Sequence, residues 1–312
     1  MLKQEVKNID IIGTISINIR KFFNSTLDVS VYVFLGLVLL VTAYPFWYVL
    51  VYSFSDPSKI TSGFLLYPVQ FTLEAYSSIF QSDKIIAAFI VSVARSTIGP
   101  ILSGLITMMA AYVLSHRELP GRRFLSILFI LTMYFGAGLI PYYLLIKSLG
   151  LINNFMVYII PSLTNVFGMI LMRTYIESQP LALEESALID GANDLVIFFR
   201  ITLPLSVPVI AAVVLFSCVG QWNSYTDTLI YCSTNEKLYS LQYVLVVLVS
   251  SVSASQNINT MNDMIQNAGR VKLTPMAIRM AITIVAIIPI SLVYPFLQRY
   301  FIKGMLIGAV KG

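Results

Sequence analysis

The chain concentrates its candidate chemistry in one stretch, residues 180–208, with the sequence PLALEESALIDGANDLVIFFRITLPLSVP. Glu184 and Glu185 stand side by side there, Asp190 follows, Gly191-Ala192 forms a corner, and Ile201-Thr202-Leu203-Pro204 closes the run. A charged, punctuated segment between apolar stretches suits contact with something outside a bilayer. Catalytic alternatives are thin. The single histidine, His116, sits beside Arg117 and reads as a solvated loop residue, so no Ser-His-carboxylate set is at hand. No G-x-x-x-x-G-K-[ST] run is present, which excludes ATP hydrolysis by a phosphate loop. Cys218 and Cys232 match neither zinc spacing nor a disulfide framework, and both thiols are expected free. No metal site and no resident cofactor are expected.

A second group lies at membrane depth. Arg95 is the one basic residue placed well inside a predicted span, and the spans hold no acid. Intramembrane charge is costly and normally faces a bundle interior or a water-filled cavity. Arg95 is therefore either a hydrogen-bonded structural residue or part of a solute pathway. The lack of an acid or histidine relay weighs against a proton-coupled carrier. Tyr134, Tyr142, Tyr143, Asn165, Gln221, Trp222, Asn223 and Tyr225 are candidates for such a pathway, since aromatic faces stack on sugar rings and amides bond their hydroxyls. Tyr and Trp at span ends are more often interfacial anchors, and that reading stands beside the first.

The elements that must position these residues follow from composition. Of 312 residues, 57% are hydrophobic and 11% charged, with a mean hydropathy of +0.82. Soluble domains carry roughly a quarter charged residues, so the chain reads as a polytopic, all-α membrane protein. Six spans are expected as helices: Val31–Tyr52, Ile85–Leu114 broken by Gly99-Pro100, Phe124–Lys147 kinked near Gly136, Gly138 and Pro141, Asn154–Met172 containing Pro161, Leu205–Trp222, and Met280–Gln298. No small-residue cleavage site follows a short apolar region at the N-terminus, so a removable signal peptide is not expected.

The net charge of +5 is spread between spans rather than gathered in a patch for nucleic acid. Placing both termini in the cytoplasm puts Arg117, Arg122, Arg123, Arg173, Arg200 and the terminal Lys and Arg residues on the inner side, with residues 180–208. Residues 1–29 form a cytoplasmic tail, in which Ile11–Phe23 either lies on the membrane surface or is a disordered arm. Residues 30–84 hold the first span and an extracellular loop, 85–300 the core with a long extracellular loop at 223–279, and 301–312 a second cytoplasmic tail.

Within the charged stretch, Pro180 suits a first helical turn with Ser178 or Gln179 as an imperfect cap. Leu181, Leu183, Ala187 and Leu188 give an apolar stripe, and the two glutamates sit near the positive helix end. Gly191 can adopt a positive φ and stop that helix. Asn193 or Asp194 can cap a second one, carrying Leu195, Phe198 and Phe199, before Pro204 breaks the run. Such a helix, corner and helix either dock a partner or merely link two spans.

Glu185-Ser186-Ala187, Asp190-Gly191-Ala192 and Ile201-x-Leu203-Pro204 resemble the EAA loop of binding-protein-dependent ABC importer permeases, usually E-A-A-x-x-D-G-A followed by I-x-L-P. Ser186 replaces the commoner Ala. Tyr294–Gly304 and the ending Gly308-Ala309-Val310-Lys311-Gly312 resemble the C-terminus of maltose-type sugar permeases. Phe54-Ser55-Asp56-Pro57 and Phe71–Tyr76 resemble the oligosaccharide group of Gram-positive bacteria, the MalG-like and LplC-like permeases. The resemblance implies the ABC type I importer transmembrane fold, with residues 180–204 as coupling hairpin. It implies a plasma-membrane complex with a second permease as a heterodimer, a cytoplasmic ATPase dimer that holds ATP and Mg, and an extracellular solute-binding lipoprotein. Glu184, Glu185, Ser186, Ala187, Leu188, Asp190, Gly191, Ala192, Ile201, Leu203 and Pro204 would couple to the ATPase. In that scheme Glu185 engages it, Ala187 and Leu188 pack in its cleft, and Gly191 sets the corner. The substrate implied is a sugar, moved inward by alternating access, with an ABC permease for another solute or an autonomous channel or carrier as alternatives.

Overall fold

In hydrocarbon every backbone N–H and C=O must be satisfied within its own segment, so apolar runs of this length become helices. The computed structural model bears this out over the residues it describes, 29–60, 63–253 and 274–309. The stretch Ile11–Phe23 and most of the Ser-, Asn- and Gln-rich part of the expected long loop lie outside them. Among the described residues, β structure is confined to an isolated antiparallel bridge between Ser55 and Phe71.

The chain divides into two compact units, ending at Thr72 and beginning at Leu73. In the first, helix α1 covers Val29–Ser53, longer and more apolar than a bilayer crossing needs. The segment after it folds back: Trp47 Nε1 donates to the Leu66 carbonyl at 3.0 Å, and Tyr44 stacks on Phe64 at 4.3 Å. A turn follows at Pro57-Ser58. The Ser58 hydroxyl and N–H both donate to Asp56, holding its carboxyl below the usual range.

The second unit opens with α2 (Glu74–Gln81) and α3 (Asp83–Ser115). Next come α4 (Arg122–Tyr134) and α5 (Leu139–Ser148), two 3₁₀ turns (Phe155–Tyr158 and Ile160–Ser162), and α6 (Val166–Glu177). Helix α7 (Ala182–Ile189) and α8 (Asp194–Leu205) precede α9 (Val207–Asn223). The chain then forms α10 (Thr226–Tyr231), α11 (Leu241–Ser253) and α12 (Pro275–Ala309). By length and composition α1, α3 and α12 can each cross a membrane, and three bent helix pairs bring the total to as many as six spans.

Helix α3 is the spine, with α6, α9 and α11 packed along it. Its buried face is largely small and polar, with Ala88, Ser92, Arg95, Gly99, Ser103, Thr107 and Ala111 at three- and four-residue steps. Small residues let helices approach closely in a bilayer. A Cβ on Gly104 would fall 2.3 Å from Val214 Cγ2, and one on Gly168 of α6 would fall 2.6 Å from Val213 Cγ1.

The breaks differ from expectation. Gly99-Pro100 does not interrupt α3, which runs unbroken through it. The expected kink near Gly138 is instead a bend of 114° between α4 and α5. The fourth span divides too, its 3₁₀ turns meeting α6 at 44°. Asn165, expected on the solute path, caps α6 by accepting the Gly168 N–H at 2.8 Å. The expected long loop is structured where described. Tyr158 donates to the Leu238 carbonyl at 2.7 Å, the Leu241 N–H donates to Ser92 at 2.8 Å, and Lys84 pairs with Glu236 at 2.8 Å.

Candidate functional site

The charged stretch folds as a helical hairpin whose corner is Gly191, at φ +80°. No atom beyond its chain neighbours would lie within 4 Å of a Cβ there, so conformation alone favours glycine. The Asn193 side chain accepts the Val196 N–H at 2.9 Å and caps α8, which settles the choice between Asn193 and Asp194. Neither Ser178 nor Gln179 caps α7. Ser178 donates to the Tyr175 carbonyl, while Gln179 donates to Ser206 Oγ at 3.1 Å and ties the two ends of the hairpin together. Pro204 sits within the last turn of α8, and the 76° bend into α9 comes after it at Ser206. Residues Phe198–Thr202, which include Ile201, form a π turn inside α8.

Helical phase gives the hairpin two faces. On the inner face Glu184 accepts the Tyr112 hydroxyl at 3.1 Å and lies 3.1 Å from His116 Nε2. Ala187, Ala192 and Leu203 pack on the cluster built from Met108, Tyr112, Met172, Ile197 and Phe198. His116 is therefore not a solvated loop residue. It ends α3, bonds the Tyr112 carbonyl through Nδ1 at 2.9 Å, and meets Glu184 through its other nitrogen. The outer face carries Glu185, Ser186, Leu188 and Asp190, all exposed, with Ile189 at 86% exposure. Leu181 and Leu183 are exposed as well. Below, Glu177 pairs with both Arg122 and Arg173, and Arg173 also donates to Ser126, fixing the end of α6 against α4.

The second site surrounds Arg95, which is wholly buried. Its Nε and Nη2 donate to Gln221 Oε1 at 3.0 and 2.6 Å, and Nη1 donates to the Ser224 carbonyl at 3.2 Å. Nη2 also meets Asp227 Oδ2 at 2.5 Å, and the Tyr158 ring lies under the guanidinium at 4.2 Å. The expected intramembrane arginine thus has an acid partner that hydropathy left in a loop. A cavity of about 590 Å³ adjoins this cluster, lined by Ser103, Thr132, Asn165, Gln221, Ser224 and Asp227 among others.

Of the residues expected along a solute path, Asn165 and Gln221 line the cavity. Arg95 lies behind it. Trp222 does not face it: the indole is 6% exposed, donates to the Ala286 carbonyl at 3.0 Å and packs edge-on to Phe89. Tyr134, Asn223 and Tyr225 are exposed outside the lining, and Tyr143 stacks on Tyr231. Sequence reading missed Ser103, Thr132, Ser217 and Asp227. Isolated hydroxyls within apolar runs were the available signal for the first three. Among the described residues no group of His, Cys, Asp and Glu could hold a metal ion.

Comparison with known proteins adds to this geometry. The family described as "Binding-protein-dependent transport system inner membrane component" matches residues 124–307. The polygalacturonan/rhamnogalacturonan transport system permease protein YtcP of Bacillus subtilis (strain 168) is 40% identical over 292 residues, spanning 93% of this chain and 99% of that one. Protein LplC of the same organism is 39% identical, spanning 91% and 95%. A crystal structure of a bacterial ABC transporter involved in importing the acidic polysaccharide alginate contains a chain with a TM-score of 0.79 and 30% identity. That match covers 88% of this chain and 96% of that one.

Proposed function

The chain belongs to the inner-membrane component family of binding-protein-dependent transport systems, as a carbohydrate-type ABC permease with the type I importer fold, and we propose that it carries an oligosaccharide inward under ATP power. Permeases of this family are non-catalytic, membrane-embedded components of a complex with another permease, an ATPase and a binding protein. ATP and Mg would be held by separate cytoplasmic ATPase subunits. The second permease would be a different chain, and the binding protein an extracellular lipoprotein of a Gram-positive cell. Both termini and the α7–α8 hairpin would face the cytoplasm, as the Lys and Arg distribution favours. The relatives' printed substrates, polymeric sugars, support a glycan fragment rather than another solute.

The observation that carries this reading is the two-faced hairpin. Its inner face is bonded to the end of α3 through Glu184, while Glu185, Leu188 and Ile189 stay exposed on the other side. A stiff element fixed to the spine and open to a partner converts motion of that partner into rigid-body rotation of the spans. Alternating access would follow from such rotation. Replacing Gly191 by proline tests it: φ would be forced negative at the corner. Uptake of labelled oligosaccharide and ATPase association are both expected to be lost while the protein still inserts. Uptake at normal expression in Gly191→Pro would overturn the coupling role.

A further inference from the structure

The contact between the hairpin and the end of α3 holds more acceptors than protons. The Tyr112 carbonyl has no proton to give, so His116 Nδ1, 2.9 Å away, carries one and donates it. In a neutral imidazole that choice leaves Nε2 bare. Nε2 nevertheless lies 3.1 Å from Glu184 Oε1, the oxygen that also accepts the Tyr112 hydroxyl at 3.1 Å. A bare nitrogen facing a carboxylate is two acceptors with nothing between them. The ring is not free to turn away, since its Nδ1 bond holds it and it meets the Tyr112 ring edge-on, centroids 4.6 Å apart. The geometry therefore calls for one added proton between Nε2 and Oε1. A cation there also suits the C-terminal end of α3, where carbonyls leave partial negative charge.

The other charges nearby do not replace that proton. Asp194 of α8 is within electrostatic reach of Tyr112 and adds negative charge. Arg122 of α4 is committed to the Leu114 carbonyl and to Glu177. Arg117 and Glu118, next in the chain, are exposed and opposite in sign. The side chains of His116 and Glu184 are 37% and 28% exposed, so a shared proton can exchange with solvent. Resting on the reading of α7–α8 as a coupling hairpin, we propose that His116 is its positioning residue, and that seating the hairpin on α3 takes up one proton at the His116–Glu184 contact. Linkage fixes the sign: a state that binds the extra proton is favoured by acid and weakened as pH rises, by up to about tenfold per pH unit. Ala187, Ala192 and Leu203 keep their apolar packing throughout, so alkali loosens the hairpin without releasing it.

The chain has a single histidine, so labelling its imidazole nitrogens reads His116 alone. The test uses this chain with its partner permease in nanodiscs, only this chain being labelled, and ATPase subunits titrated on. Nitrogen magnetic resonance is expected to show protons on both ring nitrogens at acid pH, the Nε2 proton leaving as pH rises from about 6.5 to about 8.5. Over the same interval, affinity for the ATPase is expected to fall by about threefold or more. His116→Lys, a donor that stays charged, should flatten that profile, and His116→Leu should show the weaker affinity at both ends. A wild-type profile no steeper than that of His116→Lys overturns the proposal. So does a ring with a single proton at the acid end. Should the variants fail to assemble, the wild-type complex decides, an affinity that changes with pH while the ring's proton count does not being the negative result. Absence of ATPase association by the wild type at any pH would instead overturn the coupling reading, and the positioning role with it, whatever the resonance shows.

Discussion

Arg95 shows what a charge needs in order to persist among apolar helices. Buried ions are tolerated where geometry and hydrogen bonds replace water, and here one guanidinium draws on α3's own depth, the end of α9 and the start of α10. The planar fork matters: Nε and Nη2 both reach Gln221 Oε1, which a lysine ammonium could not imitate. Replacing Arg95 with methionine keeps much of the stem's volume but leaves Asp227 unpaired. Breaking a buried pair costs about 3–5 kcal/mol; because Asp227 is partly exposed, the loss here should lie near or below the lower end. A fall of several degrees in the thermal midpoint of the detergent-solubilised protein is expected, and an unchanged midpoint would show the cluster to be incidental. Arg95 was legible in the sequence as an outlier in an apolar run. Its partner was not, because Asp227 lies 132 residues away and hydropathy assigns it to a loop. The two glutamates divide in the same way. Local pattern places both on one helix, and only packing against Tyr112 and His116 turns Glu184 inward.

At the scale of elements, two breaks that each carry glycine and proline have opposite outcomes. Gly99-Pro100 and the Gly136–Pro141 stretch look alike as interruptions, yet α3 passes through the first and the chain turns by 114° at the second. The difference is packing. Gly99 and Pro100 are buried in a helix held on several sides, whereas α4 has no buried residue to hold it straight. Span positions were therefore readable from hydropathy, and span continuity was not, since it depends on neighbours that one segment does not reveal. Gly138, at φ +83° and ψ 172°, occupies backbone space that is essentially reserved for glycine. Gly136 does not have a positive φ, and neither glycine has a neighbour that a Cβ would strike. Gly138→Ala is thus expected to destabilise by about 1–3 kcal/mol, with Gly136→Ala close to neutral as its internal control. Denaturation of the two variants side by side measures the difference. Equal effects would mean that the bend is not set by Gly138.

For the whole molecule, the decisive fact is how much of its machinery faces outward. The hairpin exposes Leu181, Glu185, Leu188 and Ile189, and large apolar side chains along the helices remain exposed within this chain. Lipid can cover the apolar flanks of spans, whereas the hairpin's outer leucines lie beyond the apolar spans, where the proposed coupling scheme has a protein cleft cover them. The chain also has no phosphate loop of its own. In the proposed scheme energy arrives through contact, and rotation of a single docked body cannot close a cavity without a second body to close against. Purified and reconstituted alone in liposomes, the chain is expected to hydrolyse no ATP and to give no oligosaccharide flux above that of empty vesicles. Adding partner permease, ATPase and binding protein should restore both activities together. A measurable, ATP-independent flux through the chain alone would identify an autonomous channel or carrier instead.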